Sequence, residues 1–198
     1  MLTLYTSRAP KWGLCFDFET SGSNFYGDSS IDYQGISLGM AIFETRTFAI
    51  IDELYLEIKF DATRYKWSIE AEAIHGLTRE HLEQYGLTPE EAACEVVEFL
   101  LKYLGPNPNV MVCGHNIPYD IKFMKQLLEP FELMFNIHHV MLDTAGAAFI
   151  AFTTYKSDHM FDLLCNGQRD THNALEDVRM TLEAAKNMRA LFEAALNG

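Results

Sequence analysis

Residues 14 to 22 read Leu-Cys-Phe-Asp-Phe-Glu-Thr-Ser-Gly, an apolar run that ends in two carboxylates one residue apart. Such a run belongs to a buried strand, and in a strand residues i and i+2 point to the same face. Asp17 and Glu19 therefore stand side by side at the end of an interior strand. Carboxylates there are costly to desolvate, and adjacent like charges are unfavourable unless something positive lies between them. Whatever fold the chain adopts must bring a cation to the end of this strand.

The 198 residues suit a single domain with a sizeable core, spanning about 12–196, with no repeat, low-complexity tract or long linker to divide it. A hydrophobic share of 48% against 22% charged residues is that of a soluble globular chain. No window approaches 18 uninterrupted apolar residues, so no membrane helix is expected. The first residues, Met-Leu-Thr-Leu-Tyr-Thr-Ser-Arg, do not read as a signal peptide. Cys15, Cys94, Cys113 and Cys165 are scattered, with no Cys-x-x-Cys, and read as reduced residues of a cytoplasmic protein. The net charge of −13, from 15 Lys and Arg against 28 Asp and Glu, argues against gripping many duplex phosphates. A site that takes one strand end through bound metal ions needs little basic surface, and solubility alone accounts for the acidity equally well.

The apolar pattern predicts a strand at Leu14–Phe18, then two more in Ile36–Glu44 and Thr47–Phe60, joined at Thr45-Arg46 as an antiparallel meander. The polar segment between the first two, residues 21–35, is too long for a hairpin turn and suits a lid or insertion. Thr88-Pro89-Glu90-Glu91 opens a helix with a capping box, and Gly105-Pro106 ends it. A buried strand is predicted from Val110, a helix over Ile121–Leu128, and a short strand in His138–Thr144. A mixed helical stretch and a long amphipathic helix over Ala174–Leu196, capped by Asn173, complete an α/β domain with a mixed sheet.

Carboxylates and histidines gather at four junctions: Asp17 and Glu19, the stretch His115–Asp120, Asp143, and the stretch Thr171–Asp177. Singly, an acid at a helix start is most often a dipole partner, and Asp120 beside Pro118 reads as a turn residue. Together they suit hard divalent cations such as Mg²⁺ and Mn²⁺, which prefer carboxylate and water oxygens. Phosphoryl-transfer sites commonly hold two such ions roughly 3.5–4 Å apart. They also need a base for the attacking water, and an imidazole such as that of His172 serves near neutral pH.

Asp-Phe-Glu-Thr, His-Asn-Ile-Pro-Tyr-Asp with Phe123 three residues on, and His172 five residues before Asp177 match three motifs in order. With Ile74–Thr78 as a fourth element, the chain from about Leu14 to Leu191 resembles the DEDDh (DnaQ-like) 3′–5′ exonucleases. The resemblance implies a ribonuclease-H-like fold, a five-stranded mixed sheet flanked by helices. It implies that Asp17, Glu19, Asp120 and Asp177 bind two divalent ions, with Asp17 bridging them, and that His172 is the general base. The reaction implied is hydrolysis of the 3′-terminal phosphodiester of single-stranded DNA or RNA, or short oligonucleotides, releasing nucleoside 5′-monophosphates.

By the same resemblance Phe18 and Thr20 approach the terminal nucleotide, and His75, Leu77 and Phe123 line the pocket for the last base. Core packing is the alternative for Leu77 and Phe123. His115 and Asn116 read first as groups bonding backbone near the site, with Asn116 kept among the substrate contacts; Asp143 reads as structural. Where relatives continue with Thr-Gly-Leu, the Leu a wedge beside the terminal base, this chain has Ser21-Gly22-Ser23. Phe25, Tyr26 or Tyr33 is the expected replacement.

The chain stops soon after its last helix, which favours a stand-alone nuclease over a polymerase-bound proofreading partner and is compatible with a homodimer. A nucleic-acid- or protein-binding module with its chemistry lost is a further alternative. Such a module would be expected to lack one of Asp17, Glu19, Asp120, His172 and Asp177, and all five are present.

Overall fold

The computed structural model describes residues 10–24, 26–106, 108–165 and 172–197. Strand β1 (Trp12–Thr20) pairs antiparallel with β2 (Gly35–Glu44), and β2 with β3 (Ile50–Glu57), the expected meander. On its other side β1 runs parallel to β4 (Asn109–Gly114). Two short strands divide the free edge of β4: β5 (Asn136–Ile137) pairs with its first residues and β6 (Leu142–Asp143) with its last. The order is β3-β2-β1-β4-β5, with β6 beside β4, a mixed ribonuclease-H-like sheet.

Alternation along β1 decides what each face carries. Leu14, Phe16 and Phe18 point to one side, where α4 (Pro89–Leu104) and α5 (Ile117–Leu128) cover them with Val96, Leu100, Phe123 and Leu127. Leu14 and Phe16 are fully buried, each stabilising the fold by on the order of 2 kcal/mol. Cys15 points the other way, toward Val178 and Leu182 of α8 (Ala174–Asn197), and so by alternation do Asp17 and Glu19. Two further helices, α6 (Thr144–Phe152) and α7 (Ser157–Leu164), pack on α8 through Ala148, Met160, Phe161 and Met188.

The caps read from the sequence form. The Thr88 hydroxyl accepts from Glu91 N–H while the Glu91 carboxylate accepts from Thr88 N–H at 2.8 Å, a complete capping box. Asn173 Oδ1 accepts from Leu175 N and Glu176 N at the start of α8.

The structure departs from expectation in four places, the first being strand β5, which was not foreseen. Two seven-residue helices, α2 (Ile69–His75) and α3 (Arg79–Tyr85), lie where no helix was foreseen. Ser68 and Thr78 cap them and Gly76, at φ 73°, separates them; each holds about two turns, too few for a 3.6-residue period to register. Helix α5 starts at Ile117 instead of Ile121, because Pro118 sits comfortably in a first turn, and this makes Asp120 a first-turn residue. The polar segment contains a one-turn helix, α1 (Ser29–Asp32), capped by Asp28. Among the described residues no helix is long and apolar enough to cross a membrane.

Candidate active site

The pairing of β1 with β4 ends at Cys15–Cys113, so the last residues of β1 run on beyond their parallel neighbour. The opening there is filled by the first turn of α5. Asp120 Oδ1 accepts a hydrogen bond of 3.0 Å from the N–H of Phe18, the residue between the two acids. The carboxyl end of a parallel pair is where open α/β sheets form their sites, and Asp120 arrives there on the element that connects onward from β4.

On the opposite side the start of α8 lies directly on β2. Gly39 pairs with Asp17, and a Cβ at Gly39 would fall inside the backbone of Ala174 and Leu175. The missing side chain lets the helix settle against the sheet. Arg179, five residues on, grips Glu53 of β3 through two hydrogen bonds of 2.8 Å, the bidentate geometry that fixes orientation. The Asn173 cap and the 2.9 Å bond from Asp177 N to Asn173 O then set the first turn. As a result, ligand atoms of Glu19, His172 and Asp177 all lie within 4.8 Å of one another. Asp17 stands on the same face of β1, one strand pleat back.

Glu19, Asp120 and Asp177 are only 9%, 3% and 6% exposed. Burial pushes the Asp120 carboxyl up to about 8; the Phe18 N–H pulls down against it, while the charges of Glu19 and Asp143 push further up. Carboxylates this buried favour a partner cation, as the sequence required. The donors fit one: carboxylate oxygens with a single imidazole suit a hard divalent ion, whose ligands, at bonds of roughly 2.0–2.6 Å, stand no more than about 5 Å apart.

The neighbours sort into three groups. Phe18 packs inward with Phe123, their rings 6.2 Å apart. Phe123 is 1% exposed and also meets Tyr119, so its ring is a core element under the site and its core alternative is the one the packing supports. Thr20 Oγ1 donates to Gly22 O and reaches Tyr119 Oη at 3.5 Å. On the flank formed by α2, His75 is buried; its Nδ1 accepts from Leu77 N–H at 3.0 Å, which leaves the ring proton on Nε2. Among the described residues that Nε2 has no partner at full hydrogen-bond geometry, the Thr20 backbone being its nearest acceptor. Burial holds the His75 pKa below its usual value, and His172 acts in the same direction against Glu72. On the far flank Asn116 takes the left-handed conformation before α5, and its N–H donates to Asp143, which also caps α6 through Ala145 N. His115 bonds the Tyr155 carbonyl through Nε2 at 2.8 Å and Thr144 Oγ1 through Nδ1 at 3.2 Å, a backbone-supporting role.

Segment 21–35 is pinned at both ends. Ser21 exchanges hydrogen bonds with Gln34 and its hydroxyl donates to Lys66 O. Gln126 of α5 donates to Ser30 O and Tyr33 O and accepts from Gly35 N. Of the three aromatics expected to replace a wedge, Tyr33 lies against Gly22, Tyr26 is almost fully exposed, and Phe25 falls outside the described residues. Sequence reasoning missed Gly39, Gln126 and Trp67, whose ring stands edge-on to His75 at 6.2 Å. Gly39 carried a signal, since an isolated glycine in an apolar strand marks close backbone approach.

Residues 14–185 match the RNase_T exonuclease family. An oligoribonuclease of Acinetobacter baylyi is 28% identical over 127 residues, 64% of this chain and 65% of that protein. An oligoribonuclease of Ruthia magnifica is 24% identical over 127 residues, 64% of this chain and 66% of that one. The matched region thus spans just under two-thirds of either relative. Among solved structures, the nuclease domain of 3′hExo, a DEDDh family member bound to rAMP, superposes with a TM-score of 0.70 at 15% identity over 94% of each chain. E. coli exonuclease I in complex with a dT13 oligonucleotide gives 0.71 at 16% identity, covering 93% of this chain and 43% of that one. At such identities the likeness is one of fold.

Proposed function

The chain belongs to the RNase_T exonuclease family, and on that premise we propose that it is a DEDDh 3′–5′ exonuclease that trims single-stranded DNA or RNA, or short oligonucleotides, from the 3′ end to nucleoside 5′-monophosphates. The observation that carries this reading is the meeting of Glu19, His172 and Asp177 within 4.8 Å, beside Asp120 on the Phe18 amide. Asp17, Glu19, Asp120 and Asp177 would hold two divalent cations, Mg²⁺ or Mn²⁺. Bound there, the cations would supply charge stabilisation at the phosphate and lower the pKa of water.

The remaining roles fall to the chain's own side chains. His172 takes the proton of the attacking water as its oxygen bonds to phosphorus. The bond from phosphorus to the 3′ oxygen of the penultimate nucleotide breaks, and that oxygen is protonated as the new 3′-hydroxyl. The terminal nucleotide lies against the end of β1, where the backbone of Phe18 and Thr20 faces it and Leu77 borders its base. His75, whose Nδ1 accepts from Leu77 and whose Nε2–H lies near the Thr20 backbone, offers that proton to an acceptor on the terminal nucleotide. Asn116 lies on the side from which the strand enters.

The test is incubation of 5′-labelled single-stranded DNA and RNA with Mg²⁺ or Mn²⁺, beside Asp17→Ala and a chelated sample. A ladder shortening from the 3′ end, absent in both controls, is the expected result. Internal cuts, or equal cleavage by Asp17→Ala, would refute the reading.

A further inference from the structure

Beyond the terminal-nucleotide pocket, an open hollow of about 510 Å³ lies at the start of α5, lined by His115, Asn116, Ala145, Tyr155, Lys156 and Asp158 among others. One carboxylate joins it to the site: Asp143 accepts from both Asn116 N and Ala145 N and lies close enough to Asp120 to raise its pKa. The hollow sits on the α5–α7 flank, across Asp120 from His75.

Three properties give the hollow a chemistry. Tyr155 is 66% exposed, so its ring offers an accessible face. Its backbone is held in place, since the carbonyl can only accept and His115 Nε2 therefore donates to it at 2.8 Å. Lys156 follows directly and makes no ion pair among the described residues, in a chain whose net charge is −13. Asp158 contributes the one acidic side chain of the lining. An exposed aromatic face beside an unpaired cation is the combination that binds single-stranded nucleic acid, the ring stacking on a base and the ammonium meeting a phosphate.

We propose that Tyr155 and Lys156 form a subsite for the nucleotide on the 5′ side of the scissile phosphodiester, Tyr155 stacking on its base and Lys156 meeting its phosphate. This rests on the exonuclease reading and adds to it a dependence on substrate length. A mononucleotide ester puts only its leaving group beyond the scissile phosphate, with no base at the reach of Tyr155 and no phosphate for Lys156, whereas a trinucleotide fills the hollow.

The experiment compares a trinucleotide with the 4-nitrophenyl ester of thymidine 5′-monophosphate, using the whole chain and saturating Mg²⁺ or Mn²⁺. Tyr155→Ala is expected to raise KM for the trinucleotide about tenfold, with kcat held, and Tyr155→Phe to keep the wild-type value. Lys156→Ala is expected to lower the slope of log KM against log salt by about 0.7, the share of one single-strand phosphate contact. With the ester as substrate, all three variants should stay within about twofold of wild type, which also reports that they fold. Equal losses on both substrates, an unchanged trinucleotide KM in Tyr155→Ala, or a Tyr155→Phe as impaired as Tyr155→Ala would overturn the proposal. A wild-type chain that hydrolysed neither substrate would overturn the exonuclease reading, and the subsite with it.

Discussion

Replacing Gly39 with alanine tests how α8 brings its half of the site to β1. The added Cβ would lie well under 3.0 Å from the Ala174 carbonyl and the Leu175 nitrogen, all of them backbone atoms. Ordinary carbon contacts are about 3.5–4.0 Å, so the first turn of α8 must lift by about 1 Å. Overpacking of this kind costs roughly 1–3 kcal/mol, and at about 2–4 °C per kcal/mol for a chain of this size Tm should fall by about 2–12 °C. The protein therefore remains folded at 25 °C. Activity suffers more, because His172 and Asp177 move with the turn while Asp17 and Glu19 stay on β1. A shift of about 1 Å in a catalytic geometry costs on the order of 10²-fold in rate.

The assay is kcat and KM on a labelled single-stranded oligonucleotide with saturating Mg²⁺ or Mn²⁺, together with a thermal melt. Gly146→Ala in α6 is the control, since nothing lies within 4 Å of a Cβ there and alanine stabilises a helix by up to about 1 kcal/mol over glycine. A Gly39→Ala variant with wild-type kcat and Tm would refute the reasoning.

Three further outcomes follow from the same geometry. Asp120 holds its proton up to about pH 8 when folded and, unfolded, loses it near pH 4. Its contribution to stability is therefore full below about pH 4 and is lost as pH rises to about 8, at no more than about 1.4 kcal/mol per pH unit. In chelator, wild-type Tm should decline across that window and Asp120→Asn should flatten the decline while abolishing activity; parallel curves would contradict the assignment. Gln126→Leu removes three hydrogen bonds to segment 30–35, costing about 2–3 kcal/mol in urea denaturation and opening residues 21–35 to limited proteolysis, whereas an unchanged digestion pattern would mean that the segment is held by other contacts. Chelation should remove nuclease activity, and added Mg²⁺ or Mn²⁺ should restore it to the wild type but not to Glu19→Gln.

The acids themselves were legible because each interrupts a local pattern. Asp17 and Glu19 end an apolar strand, Asp177 follows a capped helix start, and His115–Asp120 separates a strand from a helix. Alternation and capping also gave the meander, α4 and the start of α8. Short-range pattern is a weak guide to elements of one or two turns. Helices α2 and α3 and strand β5 went unseen, and the start of α5 was placed four residues late. The resemblance put Phe123 in the pocket for the last base with core packing as the alternative, and the sequence could not show what only the fold shows, that its ring is buried against Phe18.

The sequence by itself determined which groups could do chemistry and which strand would carry the first pair, because residue type and a period of two are local facts. Tertiary structure alone decided that Glu19 and Asp177, 158 residues apart along the chain, face one another within 4.8 Å. That distance depends on Gly39 admitting the backbone of α8, on Arg179 gripping Glu53, and on Asp120 reaching the Phe18 amide. Gly39 signals a close approach without saying to what, and the other two contacts leave no local signature. Close packing sets them, and close packing belongs to the folded chain as a whole.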